Sequence, residues 1–232
     1  MGSIEAASSC LRVRDWHLID RELMPRVDPY AVIDDLLSSE SLAALRNQLL
    51  NHWAWRYKGT DQRRLFLIEP RIPLMWSIAS AIPEVLPRMF QNLRPMTLFS
   101  VMHQDERPLG VHADNSKVSV NLWLTPDEYN LDPLTGGLQL FDRQREPSDM
   151  LHEYNTSHSA GRFLTSDELA SPHTIPYQQN RATVFLGSTL HSTQSISFSG
   201  RSAAEYRMNV TILYSEPEIY EAERAPYFTD SQ

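Results

Sequence analysis

Apolar residues recur at two different periods along this chain, and the change of period divides it. In AVIDDLLSSESLAALRNQLLNHW, Leu42, Leu45, Leu49 and Leu50 fall at helical spacing. Ser38 or Ser39 stands where a hydroxyl can cap the first turn by accepting a hydrogen bond from a free N–H. A second helical pattern, PLMWSIASAIPEVLPRMFQNL, contains Pro83 and Pro87. Proline removes a donor and crowds the preceding turn, so the pattern predicts two short helices or a broken one. Both apolar stripes read as packing surface. From Met96 onward the period shortens to two, in MTLFSVM, KVSVNLWLT, GGLQLFD, RATVFLG and RMNVTILY. These runs are rich in β-branched and aromatic residues and are separated by turn formers; Gly136-Gly137 suits a tight turn into the third of them. Helices first and strands afterwards predict an α+β fold, with N-terminal helices packed on one face of an antiparallel sheet or barrel.

The same pattern sets the expected organisation: a single domain over residues 1–232. Within it lie a lead-in (1–29, broken by Pro25 and Pro29), a mainly helical support (30–95), a strand-rich core (96–214) and a tail (215–232). Residues 143–180 interrupt the core as a long polar insertion, the usual character of a lid or binding loop. Two of its histidines, His152 and His158, are candidates for a role there. Composition narrows the partners. Hydrophobic residues make up 41% and charged residues 22%, enough to bury a core. A net charge of -8 argues against nucleic acid and anionic membranes as partners. No apolar run is long enough for a membrane span, and the first residues lack the apolar core of a secretory signal. One cysteine, Cys10, excludes an internal disulfide and a cysteine-based zinc cluster. The expectation is a soluble, cytoplasmic protein that acts on a small molecule; its oligomeric state is open.

The candidate chemistry begins at GVHADNSKV, which runs into the second strand pattern. Residues two apart on a strand share a face, so His112 and Asp114 would converge on one point. Such a pair arises readily by chance, and His103-Gln104-Asp105 competes with it; that triplet is followed by Glu106-Arg107-Pro108 and reads as a hairpin tip. His191, directly after RATVFLG and a turn, supplies a third ligand. Two histidines and a carboxylate with open positions suit a non-haem Fe(II) oxygenase, although zinc hydrolases can use the same donors. Alternation then places Arg207, Asn209 and Thr211 on one face of the last strand pattern. It also sets Ser119, Asn121 and Trp123 opposite Val118, Val120 and Leu122. An arginine fork is suited to a carboxylate. Asn121 and Asn209, if buried, need hydrogen-bond partners and are candidates to contact cofactor or substrate. Trp123 is either core filling or a wall of the cofactor pocket.

From about Val32 to Tyr214 the chain resembles the iron(II)- and 2-oxoglutarate-dependent dioxygenases of the prolyl-hydroxylase-like superfamily. The likeness is carried by VIDDLLSSESLAALR, GVHADNSKVSVNLWLTPDEYNLDPLTGGLQLFD, YQQNRATVFLGSTLHSTQSISF and YRMNVTILY. It implies a double-stranded β-helix (jelly-roll, cupin-like) core, with Fe(II) held by His112, Asp114 and His191. It also implies that Arg207 binds the distal carboxylate of 2-oxoglutarate, that O2 is consumed, and that succinate and CO2 are released. Family members often carry the basic residue nearer the distal histidine, where this chain has Arg201; Arg207 is preferred because it opens the last strand. Asp114, in place of the small residue of related halogenases, favours oxygen chemistry. The expected substrate is a small, amino-acid-like metabolite, oxidised at an unactivated C–H bond. Alternatives are a cupin-like metal-binding or isomerase domain without 2-oxoglutarate, a hydroxylase of a protein side chain, and a catalytically silent binding module.

Overall fold

In the computed structural model, residues 10–23, 30–58, 61–155 and 163–217 are described. Most of the lead-in, His158 and the tail beyond 217 therefore lie outside the described residues. In chain order the elements are α1 (Trp16–Leu23), β1 (Tyr30–Ile33), α2 (Ser39–Leu50), β2 (Arg56–Lys58), β3 (Asp61–Ile68) and α3 (Pro73–Val85). There follow β4 (Arg94–His103), β5 (Val118–Trp123), β6 (Leu138–Gln144), α4 (Leu151–Tyr154), α5 (Ser166–Ala170) and β7 (His173–Ile175). The last three are β8 (Ala182–Leu186), β9 (Thr189–Thr193) and β10 (Arg207–Ser215). They build a 7-stranded sheet, ordered β1-β8-β5-β10-β4-β3-β2, and a 3-stranded sheet, ordered β7-β6-β9.

All strand pairs are antiparallel, so successive side chains face opposite ways in register across the large sheet. Its outer face presents Val120, Leu122, Val210 and Ile212, which pack with Leu45 and Leu49 of α2 and Ile78 and Ile82 of α3. On the inner face Trp123 and Phe185 pack with Leu138, Leu140 and Ile175, so the small sheet lies against the large one. Helices thus cover one side of the large sheet and strands the other. None of the described helices is long and apolar enough to cross a membrane.

Several expectations need correction. The 30–95 segment holds strands beside its two helices: β1 adds to one edge of the large sheet through β8, and β3 and β2 extend the other through β4. YAVI is too short to show a period, and the charged start of DQRRLFLI hides one. The 143–180 segment is not a loop throughout, because its end forms β7, paired with β6 as Leu138↔Ile175 and Leu140↔His173.

The second helical pattern is one unbroken helix that runs through Pro83 and stops just ahead of Pro87. Pro83 cannot donate to the carbonyl of Ala79; the Tyr214 hydroxyl, reaching over from β10, donates to it instead at 2.8 Å. At α2 the cap is Ser38, whose hydroxyl accepts from the Ser41 N–H at 3.2 Å.

Candidate metal centre

His112, Asp114 and His191 come together in the fold: one ligand atom from each lies within 4.8 Å of the others. His112, an isolated bridge residue, pairs with His191 of β9, with His112 N–H donating to His191 C=O and the reverse, both at 2.8 Å. That pairing sets the rings 4.2 Å apart, centroid to centroid. Each ring is then fixed from behind. The Nδ1 of His112 is 2.9 Å from the Gly110 carbonyl, and the Nδ1 of His191 is 2.9 Å from the Thr189 carbonyl. A carbonyl can only accept, so Nδ1 carries the proton and Nε2 keeps its lone pair for the centre.

Asp114 is not on a strand, as the alternation argument expected, but in the loop ahead of β5. Its N–H is held by the Gly187 carbonyl at 2.8 Å. Gly187 is packed so closely there that an added Cβ would come within 2.2 Å of the Ser116 carbonyl oxygen. The Ser119 hydroxyl donates to Asp114 Oδ2 at 2.6 Å, and that oxygen is 3.8 Å from His191 Nε2. Burial, followed by the neighbouring His191, holds the His112 imidazolium down to a pKa of about 4, with Asp114 only partly opposing. At neutral pH His112 is a free base. Two imidazole nitrogens and one buried carboxylate suit a divalent iron with open positions.

A polar track crosses the inner face of the large sheet beside these groups. Arg207 is 1% exposed, donates through Nε to the Gly136 carbonyl and through Nη1 to Asn209 Oδ1 at 2.9 Å, and has no carboxylate partner among the described residues. Asn209 and Asn121 both donate to Thr211 Oγ1, at 3.1 and 3.2 Å. Asn121 Oδ1 and Trp123 Nε1 are buried without a partner. Burial lowers the Arg207 pKa to about 10, which leaves it cationic at neutral pH. A buried cation with no counter-ion is costly, and a dianionic cofactor would offset it. Arg201, the other candidate, lies on an exposed turn. Gly136, whose carbonyl meets Arg207, has φ +83 and makes the turn into β6.

Sequence reasoning missed three parts of this site. His103 is no hairpin tip; it is the last residue of β4, 3% exposed, level with Arg207 in the sheet register. Tyr177 stacks on Trp123 at 5.3 Å and lies 6.0 Å from the Arg207 guanidinium carbon, and its hydroxyl donates to the Thr125 carbonyl at 2.6 Å. Thr183, paired with Asn121, keeps a buried hydroxyl without a partner. Period-two alternation through KVSVNLWLT and RATVFLG could have found Thr183. Nothing local in the sequence marks Tyr177.

The insertion is latched to the metal loop. Ala113, between two of the ligands, donates from its N–H to the Tyr154 carbonyl at 2.8 Å. Its carbonyl accepts from the Asn155 side chain, also at 2.8 Å. Arg145 lies 4.4 Å above the Tyr154 ring.

This combination of sheets is the fold of a class of non-haem enzymes that depend on 2-oxoglutarate. The epimerase SnoN from nogalamycin biosynthesis shares it at 15% identity and a TM-score of 0.62, over 87% of this chain and 83% of that one. The carbocyclase SnoK from the same biosynthesis matches at 16% identity and 0.62, over 84% and 82%. HygX from Streptomyces hygroscopicus, solved with nickel and 2-oxoglutarate, matches at 12% identity and 0.60, over 85% and 87%. No family model and no curated protein matches the sequence.

Proposed function

We propose that this protein is an iron(II)- and 2-oxoglutarate-dependent oxygenase acting on an unactivated C–H bond of a small, amino-acid-like metabolite. The outcome is hydroxylation, or desaturation or oxidative cyclisation with the same residues. The observation that carries this reading is Arg207, a fully buried cation with no acidic partner among the described residues, on the sheet that flanks a two-histidine, one-carboxylate cluster. A cupin-like metal site without a dianionic cofactor gives no reason for such a residue. The passage of the chain between the two sheets, from β5 to β6, β8 to β9 and β9 to β10, supports a double-stranded β-helix core. The small-molecule reading is supported by two proteins of this fold, solved with nogalamycin RO and with hygromycin B.

His112, Asp114 and His191 hold the iron, with Nδ1 of each ring tied back so that the two Nε2 atoms point inward. Arg207 takes the distal carboxylate of 2-oxoglutarate, and Asn209 and Thr211 keep its fork aligned. Asn121 offers an unused carbonyl oxygen to cofactor or substrate, and Trp123 walls the pocket with Tyr177 behind it. When bound, iron and 2-oxoglutarate supply an O2-derived oxidant, with CO2 and succinate as co-products. The test is a titration of 2-oxoglutarate into the Fe(II)-loaded protein without O2, followed by charge-transfer absorbance. Arg207→Ala removes a charge-assisted contact worth roughly 1.5–3 kcal/mol, so affinity should fall at least about tenfold at ~1.4 kcal/mol per decade. Arg201→Ala should change little. Unchanged affinity in both variants would refute the reading.

A further inference from the structure

The two histidines of the metal centre are each oriented by a backbone carbonyl on Nδ1. A carboxylate has no such second handle, and the terminal torsion of an aspartate is broad. Something else must fix the plane in which Asp114 meets a metal. The Ser119 hydroxyl, 2.6 Å from Asp114 Oδ2, is placed to do so. That separation falls in the short range of a hydroxyl donating to a charged oxygen, a bond roughly twice as strong as its neutral counterpart.

A second hydroxyl stands behind the first, with Ser116 Oγ 2.9 Å from Ser119 Oγ. Ser119 has one proton and gives it to a carboxylate, which only accepts, so the proton between the two serines comes from Ser116. Both hydroxyls therefore point the same way, from Ser116 to Ser119 to Asp114, and each bond polarises the next. The three residues are all buried. Ser116 is seated against Gly187, where an added Cβ would come within 2.2 Å of its Oγ. The Gly187 carbonyl in turn takes the Asp114 N–H. In the sheet register Ser119 stands beside Phe185, whose ring meets His191 edge-on at 4.7 Å. One rung of the large sheet thus supports two of the three candidate ligands.

We propose that Ser119 is a positioning residue of the metal centre and that Ser116 acts through it. The hydroxyl chain fixes the plane of the Asp114 carboxylate, and with it the strength and geometry of its hold on a divalent metal. This rests on the metal site of the oxygenase reading. A bond that only satisfied a buried carboxylate would compete with the metal for the lone pairs of Oδ2. Its removal would then leave metal binding unchanged or make it tighter. A positioning bond has the opposite sign.

The probe is cobalt(II), which resists oxidation and whose visible bands report on ligand geometry, titrated into the metal-free protein against a competing chelator. Ser119→Ala should weaken cobalt by about 10–100-fold, the usual cost of losing a partner behind a ligand, and should shift the bands. Ser119→Thr keeps the hydroxyl and should restore both. Ser116→Ala should weaken cobalt in the same direction by less, and it carries the test if Ser119→Ala does not fold. Ser100→Ala is the matched control: that serine is as buried as Ser119, but its hydroxyl donates to the Asn209 carbonyl at 2.7 Å. It should bind cobalt as the parent does. Parent or tighter affinity in both Ser119→Ala and Ser116→Ala overturns the proposal, and so does equal weakening by Ser100→Ala. A parent protein that takes up no cobalt, or keeps it in His191→Ala, removes the metal centre itself and the proposal with it. Parent-like binding in the serine variants alone removes only the positioning role.

Discussion

The two faces of the large sheet are written by alternate residues of the same strands, yet they obey opposite rules. On β10, Met208, Val210, Ile212 and Tyr214 point outward into the helices, while Arg207, Asn209 and Thr211 point inward. Both sets are buried. The outer set gains from burial directly. The inner face holds a cation with no counter-ion among the described residues, and on neighbouring strands Asn121, Trp123 and Thr183 each keep a buried polar atom without a hydrogen-bond partner, which costs stability. Neighbouring residues therefore divide the work: one face stabilises the fold, and the other keeps binding capacity at the fold's expense.

That division makes its strongest claim at the metal ligands. His191→Ala should abolish stoichiometric iron binding while the metal-free protein stays folded; Leu98→Ala, on the outer face, should keep its iron and lose about 2–5 kcal/mol of stability. Metal content and urea unfolding on the same preparations decide it. His103→Ala should keep iron too, and its loss there would move the site.

Arg207→Met is the next sharpest comparison. Removing a buried charge that has no acidic partner among the described residues should raise the stability of the metal-free protein by about 1–4 kcal/mol, and 2-oxoglutarate binding should be lost. A lower denaturation midpoint would mean that Arg207 is structural. On the outer face Tyr214→Phe changes one atom but strands the Ala79 carbonyl that Pro83 cannot serve, at a cost of about 1–3 kcal/mol. Chemical denaturation checks both.

The smallest expected effect is with pH. Burial holds His112 down to about 4 and His103 well below its ordinary 6.5, so the unfolded chain takes up protons first. Their contribution is complete above pH ~6.5 and is lost as pH falls toward and through ~4. The metal-free protein should therefore weaken over that acid range, and His103→Gln should flatten the slope; a stability that rose on acidification would contradict it.

How much of this was legible depended on whether the information was local. The strand RMNVTILY with Arg207 at its head was readable because residue type and period agree there, and HADN was readable by residue type alone, since it lies in a loop. The strand placement of Asp114 was not, because a loop held by Gly187 achieves the same convergence as a pleat. His103 was misread because the Glu106-Arg107-Pro108 that follows suggested a turn one step too early. β1 was invisible because its reason to be a strand lies in β8, far along the chain. Pro83 suggested a break that Tyr214, another distant residue, makes unnecessary.

Ala113 has no functional side chain, yet its backbone joins two parts of the molecule. Both of its peptide groups are committed to Tyr154 and Asn155 of the insertion, while the residues on either side are two of the three candidate ligands. A change in the insertion that moves Tyr154 or Asn155 pulls on the loop that carries His112 and Asp114.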